Sequence, residues 1–374
     1  MLNNSSLDPT PATCTGCGAC KRVCPKSCIT IEANKDGFGI AHINATECID
    51  CGACSKVCPF TSHNTYLFNP LETFAFRLND MVTRFKSASG GAFAALARLF
   101  IEEGGYVCSA VDDVDCGGHF LLTNNVDDIS LMQGSKYYYI ELDDAILDEM
   151  CKLLKKNPVL FCGLPCQVYA ARCASKNSNN FIGVDLLCQG APSYLACKKY
   201  RDEVSRRANH QLIGHKFRTK GDSYKGYTSE LEFEDGSIVR QHGDLNLYNC
   251  SFQHKLFLRE SCYNCPFSSL NRAGDITIGD FWGLDAFEGE PPREVSLLLC
   301  NSPSGKRFVA GLNKLGAIER HHLNDAVNGN GPLRSPVKRP FMRAFSFSLM
   351  RRFGFRASTI MCYPKYLIKK ILLR

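Results

Sequence analysis

Cys14-Thr-Gly-Cys17-Gly-Ala-Cys20-Lys-Arg-Val-Cys24-Pro25 returns further along as Cys48-Ile-Asp-Cys51-Gly-Ala-Cys54-Ser-Lys-Val-Cys58-Pro59, so one motif, C-x2-C-x2-C-x3-C-P, occurs twice. Three thiolates on a short loop can take three corners of an iron–sulfur cube, and the fourth, at the start of the next segment, points to the other cube. The spacing therefore predicts crossed ligation. Cys14, Cys17, Cys20 and Cys58 would hold one 4Fe-4S cluster, and Cys48, Cys51, Cys54 and Cys24 the other. Gly18 and Gly52 leave the loops free to take positive φ. Zinc sites are built from close Cys pairs set apart by a longer spacer, which does not account for eight ligands in two identical runs. Disulfides fit less well still.

The stretch resembles a two-cluster bacterial-type ferredoxin, a module that carries electrons. It fills only a fraction of 374 residues, leaving room for one large or two ordinary domains with a true core. Residues 1–13 read as a polar leader, 14–62 as the ferredoxin domain, 61–80 as a connector, 80–333 as the larger domain and 334–374 as a basic tail. The expected fold class is α+β, a small two-cluster ferredoxin domain followed by a larger mixed α/β domain. In the small unit Ile29, Ile31, Phe38, Ile40 and Ile43 form the apolar interior, and Asp36-Gly37 makes a hairpin turn. Cys28 reads as a packing residue rather than a ninth ligand. The net charge of +7 resides in the tail, which has Lys and Arg but no Asp or Glu, so the rest is net acidic. No apolar run reaches the roughly 18 residues of a membrane span, and the 22 cysteines suit a reducing cytoplasm.

In the larger domain Phe93, Leu96, Ala97 and Phe100 share one helical face, closed by Gly104-Gly105. Ser87, Ser89, Gly90 and Gly91 precede that helix, where free N–H groups favour a phosphate; a capping loop without ligand is the other reading. Lys136, beside Tyr137, Tyr138 and Tyr139, is either a clamp for an anionic planar group or a snorkelling strand residue. Two strand-loop-helix units place Cys166 and Cys188 at or just past a strand's carboxyl end, the rim where open α/β sheets bind ligands. Pro192 suits a first helical turn. Cys262-x2-Cys265 lacks two ligands, and Cys166 and Cys188 complete a third four-Cys site; zinc or unrelated buried thiols are the alternatives. Arg218 and Lys220 are either contacts for an anionic substrate or surface cations. Asp280-Phe281-Trp282-Gly283 reads as a structural turn more readily than as a proton donor. No single catalytic residue stands out, and His215, His242 and His254 lack partners at metal-ligand spacing.

Ser-Ala-Ser-Gly-Gly (87–91), Gly-Ser-Lys-Tyr (134–137), Gly-Leu-Pro-Cys-Gln (163–167), Leu-Cys-Gln-Gly-Ala-Pro-Ser (187–193), His-Lys-Phe-Arg-Thr-Lys (215–220), Ser-Cys-Tyr-Asn-Cys (261–265) and Asp-Ile-Thr-Ile-Gly-Asp-Phe-Trp-Gly (275–283) follow one another in that order. Together they resemble the coenzyme F420 hydrogenase/dehydrogenase beta-subunit family. The resemblance implies an FAD-containing domain with its own 4Fe-4S cluster on Cys166, Cys188, Cys262 and Cys265. It also implies flavin contacts from Ser87, Ser89, Gly90, Gly91, Gly134, Ser135, Lys136 and Tyr137. The expected activity is that of an iron–sulfur flavoprotein oxidoreductase, exchanging electrons with a ferredoxin or a deazaflavin such as coenzyme F420 and acting on an unspecified organic substrate. An electron-transfer subunit without its own substrate is the alternative. Gln189 and Leu164 depart from the His and the small hydroxyl residue expected there. The tail, rich in aromatics and cations, suits a membrane surface, an acidic protein partner or this protein's own acidic body; it has no nucleic-acid reading module.

Overall fold

The computed structural model describes residues 7–61, 66–115, 117–220 and 227–367. The N-terminal unit is built from α1 (Ala19–Val23), β1 (Ile29–Ala33), β2 (Gly39–Ile43) and α2 (Ala53–Lys56). β1 and β2 pair antiparallel, with Ile31 opposite Ala41. Their turn is closed by Asn34, whose Oδ1 accepts the N–H groups of Asp36 and Phe38 at 2.9 and 3.1 Å. Gly18 and Gly52 precede the two helices with φ of 80° and 70°, the left-handed bend that lets each three-Cys loop wrap inward.

The larger unit runs through β3 (Glu72–Leu78), α3 (Met81–Lys86), α4 (Ala92–Glu102), β4 (Tyr106–Val111), β5 (His119–Thr123), α5 (Ile129–Met132), α6 (Asp144–Leu153), β6 (Val159–Gly163), α7 (Pro165–Ala174), β7 (Phe181–Leu186) and α8 (Tyr194–Ala208). It continues with β8 (Leu212–Lys220), β9 (Tyr227–Phe233), β10 (Ile238–His242), α9 (Leu247–Gln253), β11 (Ile276–Asp280), β12 (Ser296–Cys300), α10 (Pro303–Gly311), β13 (Gly316–His321), α11 (Leu323–Gly329), α12 (Arg343–Phe353) and α13 (Phe355–Cys362). One sheet takes the order β13-β3-β12-β11-β7-β6-β4-β5, and β8, β9 and β10 make a second. The inner strands β4, β6, β7 and β11 are parallel neighbours. Such strands are covered on both faces and so read as unbroken apolar runs. In β6, Val159 and Phe161 enter one core while Leu160 and Cys162 enter the other, following the two-residue period of a strand. α4 lays Ala95, Leu96 and Phe100 on the second face.

Three sequence expectations change. The connector 61–80 contains β3, which lies between β12 and β13, so the larger sheet reaches back to Glu72. Its Thr-Phe-Ala-Phe alternation is short enough to pass for a linker. Pro192 is not in the first turn of α8: it forms a bridge with Leu258, and Ser193 is the N-cap. The tail is not a free arm. α12 and α13 bury Phe347, Met350 and Phe355 in the main core. The membrane and acidic-partner readings of residues 343–366 thus give way to docking on the protein itself, while 368–374 lie outside the described residues. Among the described residues no helix is long and apolar enough to cross a membrane.

The tail also clamps the small unit to the large one. Asp36, at the tip of the β1–β2 turn, takes Arg343 at 2.9 Å and Arg351 at 2.8 Å on its two carboxylate oxygens. Its backbone oxygen accepts the Ser193 hydroxyl at 2.6 Å. Phe38 meets Phe347 edge-on, and Cys17 and Ala19 belong to the main core.

Candidate iron–sulfur centres and their surroundings

The inner cavity of the N-terminal unit is lined by Cys14, Cys17, Cys20 and Cys58. The outer one is lined by Cys24, Cys48, Cys51 and Cys54. These are the two quartets that the crossed spacing groups together. Runs of one spacing meet unlike surroundings: Cys17, Cys20 and Cys58 are buried, whereas in the outer quartet Cys54 alone is buried, Cys51 is exposed and its neighbour Ile49 is 56% exposed. Cys14 Sγ accepts N–H groups from Gly16 and Ala41, each at 3.4 Å. Such bonds stabilise negative charge on sulfur. Burial pushes the Cys58 thiol up to about 11, so that sulfur would be a neutral thiol unless bonded to metal. Cys28 lines the outer cavity with its Sγ 3.4 Å from that of Cys24.

The third cavity is lined by Cys166, Cys188, Cys262 and Cys265 together with Thr15, Tyr139, Gln189, Arg259, Ser261 and Arg272. Cys166 stands on the first turn of α7, after Pro165 at its start, and Cys188 just beyond β7. Asp185 on β7 accepts the Ala273 and Gly274 N–H groups at 3.0 and 3.2 Å, and its other oxygen takes the Thr277 hydroxyl at 2.5 Å. Arg272, held by Asp185 at 3.2 Å, donates to Leu186 O at 3.2 Å and to Phe267 O at 2.7 Å. That one side chain ties the strand end before Cys188 to the loop after Cys265. Gly190 N–H points to Cys188 Sγ at 3.3 Å and Ala191 N–H to Cys262 Sγ at 3.4 Å. Burial pushes the Cys188 and Cys262 thiols up to about 12 and about 11.

The donor set fits a cluster. Tyr139 Oη, Ser261 Oγ, and Arg259 Nε and Nη2 are buried without hydrogen-bond partners in the protein, and all three side chains line this cavity. Orphaned buried donors need an acceptor, which the sulfurs of a thiolate-held cube supply. Among the described residues no group of three or more His, Cys, Asp or Glu side chains could hold one metal ion; the thiols surround a space instead of converging on a point. Thr15 lines both the inner and the third cavity, so the two adjoin.

The remaining candidates meet at the carboxyl rim of the sheet. Gln133 Nε2 donates to Thr83 O at 2.9 Å and to Ser87 Oγ at 2.7 Å, joining the 87–91 loop to the 134–137 segment. The serine hydroxyls are occupied within the protein: Ser87 donates to Thr83 O and Ser89 to Val295 O. Gly90 is required by packing, since a Cβ there would lie 2.3 Å from Phe76 O. What remains for an anion is the start of α4, capped at Gly91 with no side-chain oxygen, and cations around it. Lys136 donates to Met132 O at 2.6 Å and Gln133 O at 2.9 Å. Burial lowers its pKa to about 8, against the pull of Asp112, yet part of its surface stays open. It lies on irregular backbone, not on a strand. Lys220 donates to Ser89 O at 2.8 Å, and Arg218 pairs with Asp280 at 2.6 Å, so neither is a plain surface cation. Tyr137 stacks on Phe252 with centroids 4.5 Å apart, and its segment ends at Tyr139, in the third cavity. In the turn at Asp280, Trp282 is 55% exposed. His215 is buried, and desolvation holds it well below the usual imidazole range.

Arg259, Arg272, Tyr139 and Ser261 escape the sequence reading as site residues. Arg259 had one signal: it stands three positions before Cys262, extending the three-residue step to Cys265.

Residues 13–62 match the family model of the 4Fe-4S dicluster domain. Residues 156–326 match the model of the C terminus of the coenzyme F420 hydrogenase/dehydrogenase beta subunit. No curated protein matches the chain. Among solved structures, a chain of the F420-reducing NiFe hydrogenase complex from Methanosarcina barkeri is similar over 82% of this chain and 93% of that one, at 18% identity and a TM-score of 0.49. It is the family models that carry the assignment: residues 156–326 are coenzyme F420 hydrogenase/dehydrogenase beta-subunit-like, and a 4Fe-4S ferredoxin-type domain stands at the N-terminal side of them.

Proposed function

We propose that the chain is an iron–sulfur flavoprotein oxidoreductase in which three cysteine quartets lead from an exposed surface to a flavin held near Lys136. The observation that carries this reading is the sequence of cavities: Cys51 open to solvent, Cys17 buried behind it, Thr15 shared with the third cavity, and Tyr139 joining that cavity to the Lys136 segment. Iron–sulfur clusters supply single-electron transfer, and a flavin converts single electrons into a pair for an organic acceptor. The chain's residues supply the rest. N–H groups on Cys14, Cys188 and Cys262 stabilise sulfur charge. The start of α4 and Lys136 hold an anionic group, and the Tyr137–Phe252 pair offers an aromatic wall. In this reading Lys136 is the charge partner of FAD, and Arg218 or Lys220 faces an anionic substrate. The cytoplasm is the compartment, and a ferredoxin or a deazaflavin of the F420 type is the carrier.

A second reading, an electron-transfer subunit serving a partner enzyme, is favoured by Met81, Val82 and Phe85, which are 60–70% exposed together on α3. FAD titration into the anaerobically purified protein, followed by a low-potential one-electron donor, separates the two. The enzyme reading expects about one FAD per chain, bleached on donor addition; a chain that takes up electrons and binds no flavin is the relay.

A further inference from the structure

Arg259 lies between two cysteine quartets and has no part in the scheme above. It is 2% exposed. Nη1 donates to Gly39 O at 2.7 Å, on the hairpin of the inner quartet, while Nε and Nη2 have no partner in the protein and the side chain lines the third cavity. The guanidinium lies between two rings, 4.7 Å from the Phe38 centroid and 4.4 Å from that of Tyr139.

Other buried arginines nearby have carboxylates: Arg272 has Asp185 at 3.2 Å and Arg343 has Asp36 at 2.9 Å. Among the described residues Arg259 forms no such pair. Taking a guanidinium out of water without an anion is expensive, so its anion is to be sought where its open N–H groups point. A cube held by four thiolates is an anion, made more negative by each added electron.

We infer that Arg259 is the shared counter-charge of the inner and third clusters, a positioning residue that raises both reduction potentials together. This rests on the three-cluster reading above. Nη1 is fixed to the inner-quartet hairpin at Gly39 while the same side chain lines the third cavity, so the guanidinium is placed against one quartet as against the other. The outer quartet, on the far side of the small unit, is the internal control. Reduction adds one electron to a cluster from an external donor; Arg259 offsets the added charge without itself gaining or losing a proton.

The test is a mediated potentiometric titration of the full chain, read by EPR, comparing the native protein with Arg259→Met and Arg259→Lys after iron counting. At a fixed potential Arg259→Met is expected to lower the reduced-to-oxidised ratio of the inner and third clusters about tenfold, about 59 mV for a one-electron couple, with the outer cluster unmoved. Arg259→Lys should restore most of the shift, because charge outweighs fork geometry here. Full iron with no midpoint moved, or all three moved alike, overturns the inference. If Arg259→Met fails to retain iron, pulsed EPR of protein labelled with 15N-arginine decides. Nitrogen coupling to the reduced inner cluster, lost in Arg259→Lys, supports the assignment, and coupling unchanged by that substitution overturns it. A native chain holding fewer than about twelve irons, three cubes of four, removes the three-cluster reading and this inference with it.

Discussion

The two ferredoxin quartets share a motif residue for residue and differ in almost everything around it. The inner quartet, with Cys17 in the main core, adjoins the third cavity, and Arg259 bonds its hairpin at Gly39. The outer one keeps Cys51 and Ile49 in solvent. A repeat in the chain therefore becomes an asymmetric pair in the fold, because the β1–β2 hairpin docks by one side only. The lesson is that ligand identity is local, while burial and charge are set by docking.

The largest way to break this contrast is to remove one ligand from each quartet. Cys20→Ala and Cys51→Ala should each lower iron from about twelve to about eight per chain. Only Cys20→Ala should also lower the melting temperature of the whole chain, since its cluster adjoins the main core. Equal melting in the two variants would mean that the surroundings do not matter.

Next is the clamp. Arg343→Met leaves Asp36, 6% exposed, with Arg351 alone. Leaving a buried charge bare costs about 3–5 kcal/mol; with Arg351 kept the loss should fall below that range, and Asp36→Asn in the same chain should recover part of it in urea denaturation.

Anion binding at the sheet rim gives a third. Lys136→Met should weaken FAD about tenfold or more, the loss of one charge-assisted hydrogen bond. The sign of the pH dependence follows from the lowered pKa of about 8. Below that pH the amine is charged and affinity is level; above it the free protein must take up a proton to bind, so affinity falls. Calorimetry should show this fall in the native chain and none in Lys136→Met. The group's effect on stability has the opposite trend. The unfolded chain holds the proton more tightly, so stability rises between about 8 and the ordinary lysine range.

The smallest effect belongs to the outer seam. Lys21 and Asp144 meet at 2.5 Å but are 41% and 44% exposed. Lys21→Ala should cost below about 1 kcal/mol, and a larger loss would show the seam to be less wet than its exposure indicates.

How far the sequence was legible follows the same division. The quartets, the Cys166 and Cys188 strand ends, and α4 can be read because spacing and periodicity are local. The hairpin turn was legible as Asp36-Gly37, but its arginine was not: Arg343 is 307 positions away, and nothing in a turn residue announces a distant cation. β3 hid in the connector for the same reason, since its pairing with β12 and β13 joins chain segments far apart. Arg259 looks like any cation before a Cys pair until the hairpin closes over it. The serines at 87 and 89 show the reverse, a recognisable loop whose hydroxyls donate to neighbouring carbonyls that the sequence does not announce.

The central claim, that the four thiols of the third cavity hold a cluster continuous with the two of the ferredoxin unit, is tested most directly by metal analysis of the oxygen-free chain beside Cys262→Ala. About twelve irons and no zinc, falling to about eight in the variant with the ferredoxin EPR signals kept, is the expected result. About eight irons in the intact chain, with one zinc that the variant loses, would contradict it.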